Sequence, residues 1–333
     1  MGRIRILSDD VANKIAAGEV VERPASVVKE LLENSLDAGA NRLRIEVESG
    51  GRRLIRVTDN GCGMLRDDAM LAFERHATSK LSSAKDLLSI STLGFRGEAL
   101  PSVASVSRLL LETRAVEEPT GTRVEIVGGK MVRAEEAALV PGTQVTVRDL
   151  FFNVPARKKF LRSEQTELAH IASLVTHYSL ANPDKTFLLT SDGKELLNVT
   201  PVENLRDRVY QVFGSQTLEE LVDIGVRTAA RNSERPYTMR GFVSRPQVQK
   251  LNRNSIFLFV NGRLIRDRLL LHAITSAYRN LIPPGTFPFA LLFIECDAGE
   301  VDVNVHPSKT EVRFREQSFV HDFVRDALLE ALM

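Results

Sequence analysis

Residues 24–39 constrain the fold more than any other part of this sequence. Apolar side chains recur along the segment at the three- and four-residue spacing of one helix face, and Pro24 stands where the first turn of a helix accepts proline. The opposite face of the predicted helix carries Glu30, Asn34 and Asp37. Charged residues on a helix usually face solvent. The polar face is therefore either a solvated surface or a functional site, and the neighbouring sequence has to decide between the two.

A β-hairpin is predicted directly after this helix. Apolar residues alternate over 43–47, a Ser-Gly-Gly turn follows at 49–51, and residues 54–58 return as the second strand. That strand runs into the sequence Asp-Asn-Gly-Cys-Gly at 59–63. These residue types favour turns for local reasons. A plain turn is thus the alternative to a binding site at the end of the strand.

The remaining pattern predicts an α+β chain of two domains, each of ordinary size for its own core. In the first domain the predicted strands are 109–113, 122–127 and 144–147, with a hairpin around 192–193 and helices at 67–75, from 155 and over 164–180. In the second domain the predicted strands are 237–243, 255–260, 289–295 and 301–305, with helices over 267–278 and from 319. We place the boundary before a short helix at 205–213, which gives domains 1–204 and 205–333.

Composition excludes several classes of protein. Of the 333 residues, 43% are hydrophobic and 26% are charged, which are globular values and exclude a mainly disordered chain. The two cysteines, Cys62 and Cys296, form no metal-binding or disulfide pattern, so a reducing cytoplasm is expected. The apolar runs are too short to span a bilayer, and no membrane partner is expected. With a net charge of +1, a DNA-binding surface has to be local.

The chain lacks the usual phosphate-binding loop, because Gly129-Lys130 is followed by Met131 and not by Ser or Thr. Four short motifs instead occur in an order that resembles the GHKL superfamily of ATPases. They are Glu-x-x-x-Asn at 30–34, Asp-x-Gly-x-Gly at 59–63, Gly-Phe-Arg-Gly-Glu at 94–98, and Gly-Thr at 142–143. Each motif is weak alone, and their order carries the resemblance.

Longer stretches narrow the resemblance to the MutL family of that superfamily, and they extend over the whole chain. They lie at 13–24, 33–39, 75–80, 94–100, 152–157 and 303–309. The resemblance implies an α+β chain: a GHKL (Bergerat-type) α/β sandwich followed by a smaller α/β domain resembling a ribosomal protein fold. It also implies ATP and Mg²⁺ as the cofactors.

The resemblance assigns roles to individual residues. Glu30 is the expected base that takes a proton from the attacking water, and Asn34 is the expected Mg²⁺ ligand. Asp59 is expected to accept a hydrogen bond from the adenine amino group, a donor that guanine lacks. The other residues expected to hold the nucleotide are Gly61, Gly63, Thr78, Ser79, Lys80, Gly94, Phe95, Arg96, Gly97, Glu98, Ala99, Leu100 and Thr143. Lys309 of the second domain is expected to reach the γ-phosphate as a catalytic cation.

Two basic clusters are candidates for sequence-independent contacts to DNA phosphates. The preferred cluster is Arg263, Arg266 and Arg268, and the second is the run of basic residues at 157–162. Basic runs are more often solvated surface. A DNA partner therefore rests on the resemblance as well as on the charge.

The resemblance implies an ATP-driven switch of DNA mismatch repair that dimerises on binding ATP and hydrolyses it slowly. Its expected partners are DNA, a MutS-type mismatch sensor, and a helicase or nicking endonuclease, in the cytoplasm or on a bacterial nucleoid. A topoisomerase type II ATPase subunit and a DNA clamp that binds nucleotide without turnover are the alternatives. We expect no endonuclease site within these residues, and we expect a linker and a dimerisation domain to follow Met333 in the full protein.

Overall fold

The computed structural model describes residues 21–74, 93, 98–230, 235–303 and 311–333, and these divide into two units at residues 202 and 203. Within the described residues, no helix is both long enough and apolar enough to cross a membrane. Each unit has its own sheet, so the two are described separately.

The first unit is built on an eight-stranded sheet. Its strands are β1 (Arg42–Glu48), β2 (Leu54–Asp59), β3 (Arg108–Arg114), β4 (Gly121–Val127), β5 (Lys130–Ala137), β6 (Gly142–Arg148), β7 (Thr186–Ser191) and β8 (Lys194–Val199). Their order is β5-β4-β3-β6-β2-β1-β7-β8, and only the β1–β7 pair is parallel. The end of β2 therefore lies in the middle of the sheet, between β1 and β6.

Five helices of the first unit lie within the described residues. They are α1 (Pro24–Asp37), α2 (Arg66–Leu71), α3 (Ala99–Ser105), α4 (Pro155–Phe160) and α5 (Glu164–Ala181), and a 3₁₀ turn at Ser49–Gly51 joins β1 to β2. The predicted α1 and the β1–β2 hairpin are confirmed. The apolar face of α1 is buried, with Val27, Val28 and Leu32 each 0% exposed. Burial of one such side chain contributes about 1.5–3 kcal/mol, so this face fixes α1 against the sheet and α5.

The second unit has a six-stranded sheet. Its strands are β9 (Leu221–Asp223), β10 (Arg227–Ala229), β11 (Tyr237–Ser244), β12 (Ile256–Val260), β13 (Arg263–Ile265) and β14 (Ala290–Glu295), with a separate pair β15 (Val301–Asp302) and β16 (Arg313–Phe314). Its helices are α6 (Leu205–Glu219), α7 (Arg268–Ala277) and α8 (Gln317–Leu332), with 3₁₀ turns at Arg253–Ser255 and Ala298–Glu300. The order is β10-β11-β14-β12-β13, and β9 also pairs with β11. The helices α7 and α8 pack against each other.

Several predicted boundaries were wrong. Helix α2 ends at Leu71 and not at residue 75, and α6 continues to Glu219 through a break at Gly214, where φ is 81° and ψ is 174°. Strand β5 was missed because its side chains are mostly exposed and lack the alternation of a half-buried strand. Strand β13 was missed because only three residues form it.

Candidate functional site

The carboxylate of Asp59 joins the end of β2 to α1. The Ser35 hydroxyl of α1 donates a 2.6 Å hydrogen bond to Oδ2, and the Gly61 N–H donates a 2.9 Å hydrogen bond to Oδ1. Strand pairing sets Asp59 opposite Thr143 of β6. The side chains of Thr143 and Thr113 are themselves 2.9 Å apart. The acidic turn is thus a fixed junction between the helix and three strands, and not a plain solvent-exposed turn.

Burial raises the pKa of Asp59 above its ordinary value, and hydrogen bonds from Ser35, Gly61 and Thr143 oppose that rise. Hydrogen bonds of this kind hold a carboxylate in one orientation but only partly replace its hydration. A carboxylate kept in a partly buried position at this energetic disadvantage is a candidate for ligand recognition. The backbone around this carboxylate is also closely packed.

Three glycines let the backbone approach around Asp59. A Cβ on Gly142, where φ is +126°, would lie 2.3 Å from the Asp59 carbonyl oxygen. A Cβ on Gly63, where φ is +68°, would lie 1.9 Å from the Arg114 carbonyl oxygen, and one on Gly61 would lie 2.8 Å from Ala38. No side chain fits at these distances, so only glycine permits this arrangement. The predicted Asp-x-Gly-x-Gly motif therefore has a steric reason that the sequence alone did not show.

The polar face of α1 is partly buried and not freely solvated. The Glu30 side chain is 13% exposed and lies 3.9 Å from the Lys29 ammonium. Asn34 follows Glu30 by one helical turn, so the two side chains lie on the same face. Ser35 then links this helix to Asp59. The structure brings the predicted trio of Glu30, Asn34 and Asp59 onto adjoining elements.

A second polar group on α1 was missed by the sequence reasoning. Glu33 is 4% exposed, and it accepts a 2.6 Å hydrogen bond from the Tyr178 hydroxyl of α5. The Lys29 ammonium lies 3.1 Å from the same carboxylate. The sequence did contain a signal for this contact. Glu33 stands next to the apolar face of the helix, where it would be buried, and a buried glutamate usually has a hydrogen-bonding or charged partner. Lys29, the residue before Glu30, is thereby connected to α5 through Glu33 and Tyr178.

The described part of the predicted phosphate-binding segment is small. Helix α3 begins at Ala99 and includes Leu100, and Glu98 is its N-terminal flanking residue. The Leu93 N–H donates a 2.9 Å hydrogen bond to Asp37 at the end of α1. The other predicted residues lie outside the described residues: Thr78, Ser79, Lys80, Gly94, Phe95, Arg96, Gly97 and Lys309.

The preferred basic cluster is exposed only in part. Arg263 lies in β13 and is only 6% exposed, whereas Arg266 and Arg268 are exposed. A side chain this buried presents little of its guanidinium to solvent in this structure. The three arginines therefore do not share one exposed surface in this structure, and contact of this cluster with DNA stays a prediction. The surface pair that is left is Arg266 and Arg268.

Two family models match the chain. The model for histidine kinase-, DNA gyrase B- and HSP90-like ATPases matches residues 22–148, and the model for the C-terminal domain of DNA mismatch repair proteins matches residues 209–333. The solved ATPase domain of Aquifex aeolicus MutL in complex with ADP is 30% identical, with a TM-score of 0.63, over 92% of this chain and 98% of that one. The chain belongs to the MutL family of DNA mismatch repair proteins. This confirms the family resemblance and decides against the topoisomerase alternative.

Curated relatives extend the match. MutL of Solibacter usitatus is 70% identical, and MutL of Koribacter versatilis is 61% identical, each over 100% of this chain. A crystallised N-terminal domain of a DNA repair protein, 24% identical with a TM-score of 0.82, shares the fold. The predicted fold class, a GHKL sandwich followed by a second α/β unit, is confirmed. The chain spans about half the length of the curated relatives it matches, 54% for the first and 55% for the second.

Proposed function

We propose that this chain binds and slowly hydrolyses ATP, and that it works as a nucleotide-dependent switch in DNA mismatch repair. The observation that carries the proposal is the Asp59 carboxylate, which is fixed by Ser35 at a strand end with close-packed glycines around it. The family match supports it, since the related Aquifex aeolicus domain has been solved with ADP.

The proposed adenine site is formed by Asp59, Gly61, Gly63 and Thr143. An ionised Asp59 carries only acceptors, and the hydrogen bonds from Ser35, Gly61 and Thr143 leave part of the roughly four lone-pair sites of a carboxylate unused. The remaining acceptor capacity suits a donor such as the adenine amino group. Guanine has a carbonyl oxygen at that position, which would face a carboxylate without a hydrogen bond between them. We therefore propose that this site selects adenine.

The proposed hydrolytic residues lie on the partly buried face of α1. Glu30 would accept the proton of the water that attacks the γ-phosphorus, giving ADP and phosphate. Its limited exposure of 13% suits a base that acts on one positioned water. Asn34 fits a Mg²⁺ site because its amide oxygen is a hard, neutral ligand one turn from Glu30. When bound, Mg²⁺ supplies positive charge that neutralises the phosphate oxygens. Lys309 lies outside the described residues, so its contact with the γ-phosphate stays a prediction.

The wider role is proposed from the family. A mismatch repair switch would pass a signal from a MutS-type sensor to a helicase or a nicking endonuclease, while it holds DNA through its phosphates. These events belong to the cytoplasm or nucleoid of a bacterial cell. In this proposal two chains dimerise when ATP binds, and ATP hydrolysis returns them to the unpaired state. The rival proposal is a DNA clamp that binds nucleotide without turnover.

The proposal is tested by comparing nucleotides on the wild-type chain. We expect ATP to bind and to be hydrolysed with release of phosphate, and GTP to bind at least tenfold more weakly. Light scattering is expected to show a doubling of mass with a non-hydrolysable ATP analogue. Tight ATP binding without phosphate release would favour the non-hydrolysing clamp. Equal affinity for GTP would exclude the assigned role of Asp59.

The two exposed arginines of the basic cluster, Arg266 and Arg268, give a testable prediction for DNA binding. Arg266→Ala and Arg268→Ala are each expected to weaken DNA binding equally for all sequences. Removing one arginine that neutralises a phosphate is expected to make the slope of log K against log salt shallower by about 0.9. The measurement is a salt titration with fluorescent duplex DNA.

Two arginines of the same unit serve as controls for this titration. Arg279 is exposed beyond the end of α7, and Arg263 is buried in β13. Arg279→Ala is expected to leave the salt slope unchanged, and Arg263→Ala is expected to lower stability without changing the slope. An unchanged slope in the Arg266→Ala/Arg268→Ala double variant would place the DNA surface elsewhere.

A further inference from the structure

Two histidines on neighbouring helices of the second unit are in contact through their ring nitrogens. Nδ1 of His272 on α7 lies 2.9 Å from Nε2 of His321 on α8, and the ring centroids are 5.0 Å apart. The backbones that carry them are held by the packing below, where Ile274 and Val324 are each 0% exposed. The packing of the two helices therefore sets the distance between the backbone positions that carry the two rings.

The hydrogen bonds of His321 define which of its nitrogens can act as a ligand. Its Nδ1 lies 3.1 Å from the Asp322 carboxylate, and Arg325 lies 2.9 Å from the same carboxylate. A carboxylate oxygen accepts a hydrogen bond from Nδ1–H, so Nε2 of a neutral His321 is left with its lone pair directed at His272. A carboxylate that orients histidine in this way is typical of metal-binding imidazoles.

We propose that His272 and His321 together bind one divalent transition-metal ion, with water in its remaining positions. Metal–nitrogen bonds of about 2.0–2.1 Å to two nitrogens this far apart enclose an angle of about 90° at the metal. That angle is the adjacent-ligand angle of tetragonal Cu²⁺ and Ni²⁺ sites, and imidazole is a preferred ligand of both ions. Zn²⁺ would need the nitrogens to separate by about 0.4 Å to reach a tetrahedral angle.

Binding requires one proton to move. In the hydrogen-bonded pair, Nδ1 of His272 is the donor, because Nε2 of His321 is the acceptor. For Nδ1 to become a ligand, its proton has to pass through solvent to Nε2 of the same ring, so both imidazoles stay neutral and no net proton is released. The His272 residue is exposed, so its ring has room to turn and water can carry this proton.

The bound ion would join α7 to α8. It binds the folded chain and not the unfolded one in this geometry, so it stabilises the second unit by mass action. Mg²⁺, which prefers oxygen ligands, would not compete for a pair of imidazoles. The site is therefore independent of the proposed ATP site, and a failure of one leaves the other untouched.

The test uses the wild-type chain without nucleotide. Cu²⁺ electron paramagnetic resonance is expected to show couplings from two imidazole nitrogens, and calorimetry with Ni²⁺ is expected to show a site at the same pair. His272→Ala and His321→Ala are each expected to weaken Ni²⁺ binding at least tenfold. Asp322→Asn, which removes only the orienting carboxylate, is expected to weaken it by about 10- to 100-fold. His170→Ala, at an exposed histidine of the first unit, is the matched control and is expected to have no effect.

Two results would overturn the proposal. One is Ni²⁺ binding of unchanged affinity in the His272→Ala/His321→Ala double variant, and the other is no saturable binding by the wild-type chain below about 1 mM. If either alanine variant fails to fold by circular dichroism, the wild-type resonance spectrum decides alone. A spectrum with fewer than two coupled imidazole nitrogens then shows that the two histidines are only hydrogen-bonded to each other.

Discussion

Glu30→Ala is expected to lower kcat for ATP hydrolysis by about 10²–10⁴-fold, the range that a positioned general base contributes. The dissociation constant for ATP is expected to stay within a few-fold of wild type, because Asp59 and its glycines are on a different element. Glu30→Gln keeps the shape and the position but removes the basic carboxylate, so it should lose activity to the same degree. The measurement is phosphate release at saturating ATP, together with nucleotide binding by calorimetry.

Glu136 provides a matched control for this experiment. It is exposed on β5, and its carboxylate pairs with Arg66 across 2.8 Å of the surface. Glu136→Ala should leave both kcat and ATP affinity unchanged. Undiminished hydrolysis in Glu30→Ala would remove Glu30 from the base role. Loss of ATP binding in the same variant would instead show that Glu30 supports the nucleotide site as a whole.

Asp59→Asn is expected to have two opposite effects, weaker ATP binding and a more stable nucleotide-free chain at neutral pH. In asparagine one carboxylate oxygen becomes a donor, which faces the adenine amino group without a hydrogen bond. Hydrogen bonds to charged groups contribute about 1.5–3 kcal/mol, which corresponds to about 10- to 100-fold in affinity. Two of the internal contacts survive, because the amide oxygen can accept from Gly61 and the Ser35 hydroxyl can turn to accept from the new amide group.

The gain in stability follows from the raised pKa of Asp59. A carboxyl whose pKa is higher in the folded state than its ordinary value of 3.8 stabilises the fold fully below that pH, and this contribution is lost as the pH rises through the folded-state pKa. Asparagine does not titrate. We therefore expect Asp59→Asn to raise the free energy of unfolding at about pH 7, and the difference from wild type to shrink as the pH falls towards about 4.

Urea unfolding of both chains across this pH range measures the effect on stability, and calorimetry measures ATP affinity. Asp184→Asn is the control, since that side chain is 69% exposed and pairs with its neighbour Lys185. It should change neither quantity. A variant that binds ATP like wild type would show that Asp59 does not recognise adenine. A variant that is less stable at neutral pH would show that the carboxylate is needed for the fold itself.

Local sequence was enough to predict the elements that form the core of the site. The spacing of apolar residues predicted α1, and alternation followed by a Ser-Gly-Gly turn predicted the β1–β2 hairpin, because both patterns repeat within a few residues. The positions of Glu30, Asn34 and Asp59 at the edges of these elements follow directly. The order of the motifs then indicated the family, which the comparisons confirm.

Other features depend on contacts between distant parts of the chain. Periodicity is local, but strand register and helix packing are not. The register of β2 and β6 sets Thr143 opposite Asp59 and makes Gly142 obligatory, and Ser35 reaches Asp59 from 24 positions away. In the same way, packing of α5 on α1 gives Glu33 its partner, Tyr178.

The basic residues that follow β12 show that residue type alone does not predict which side chains are exposed. Three arginines within six residues look alike in the sequence, yet Arg263 in β13 is buried, whereas Arg266 and Arg268 are exposed. Likewise, His272 and His321 are 49 positions apart in the sequence. Packing of α7 on α8 brings their ring nitrogens to 2.9 Å from each other. The sequence by itself determined the helix, the hairpin, the polar residues of the proposed ATP site and the family, because these depend on local order. Only the tertiary structure decided which polar groups meet and which arginines reach solvent, because strand pairing and helix packing join residues that are far apart in the chain.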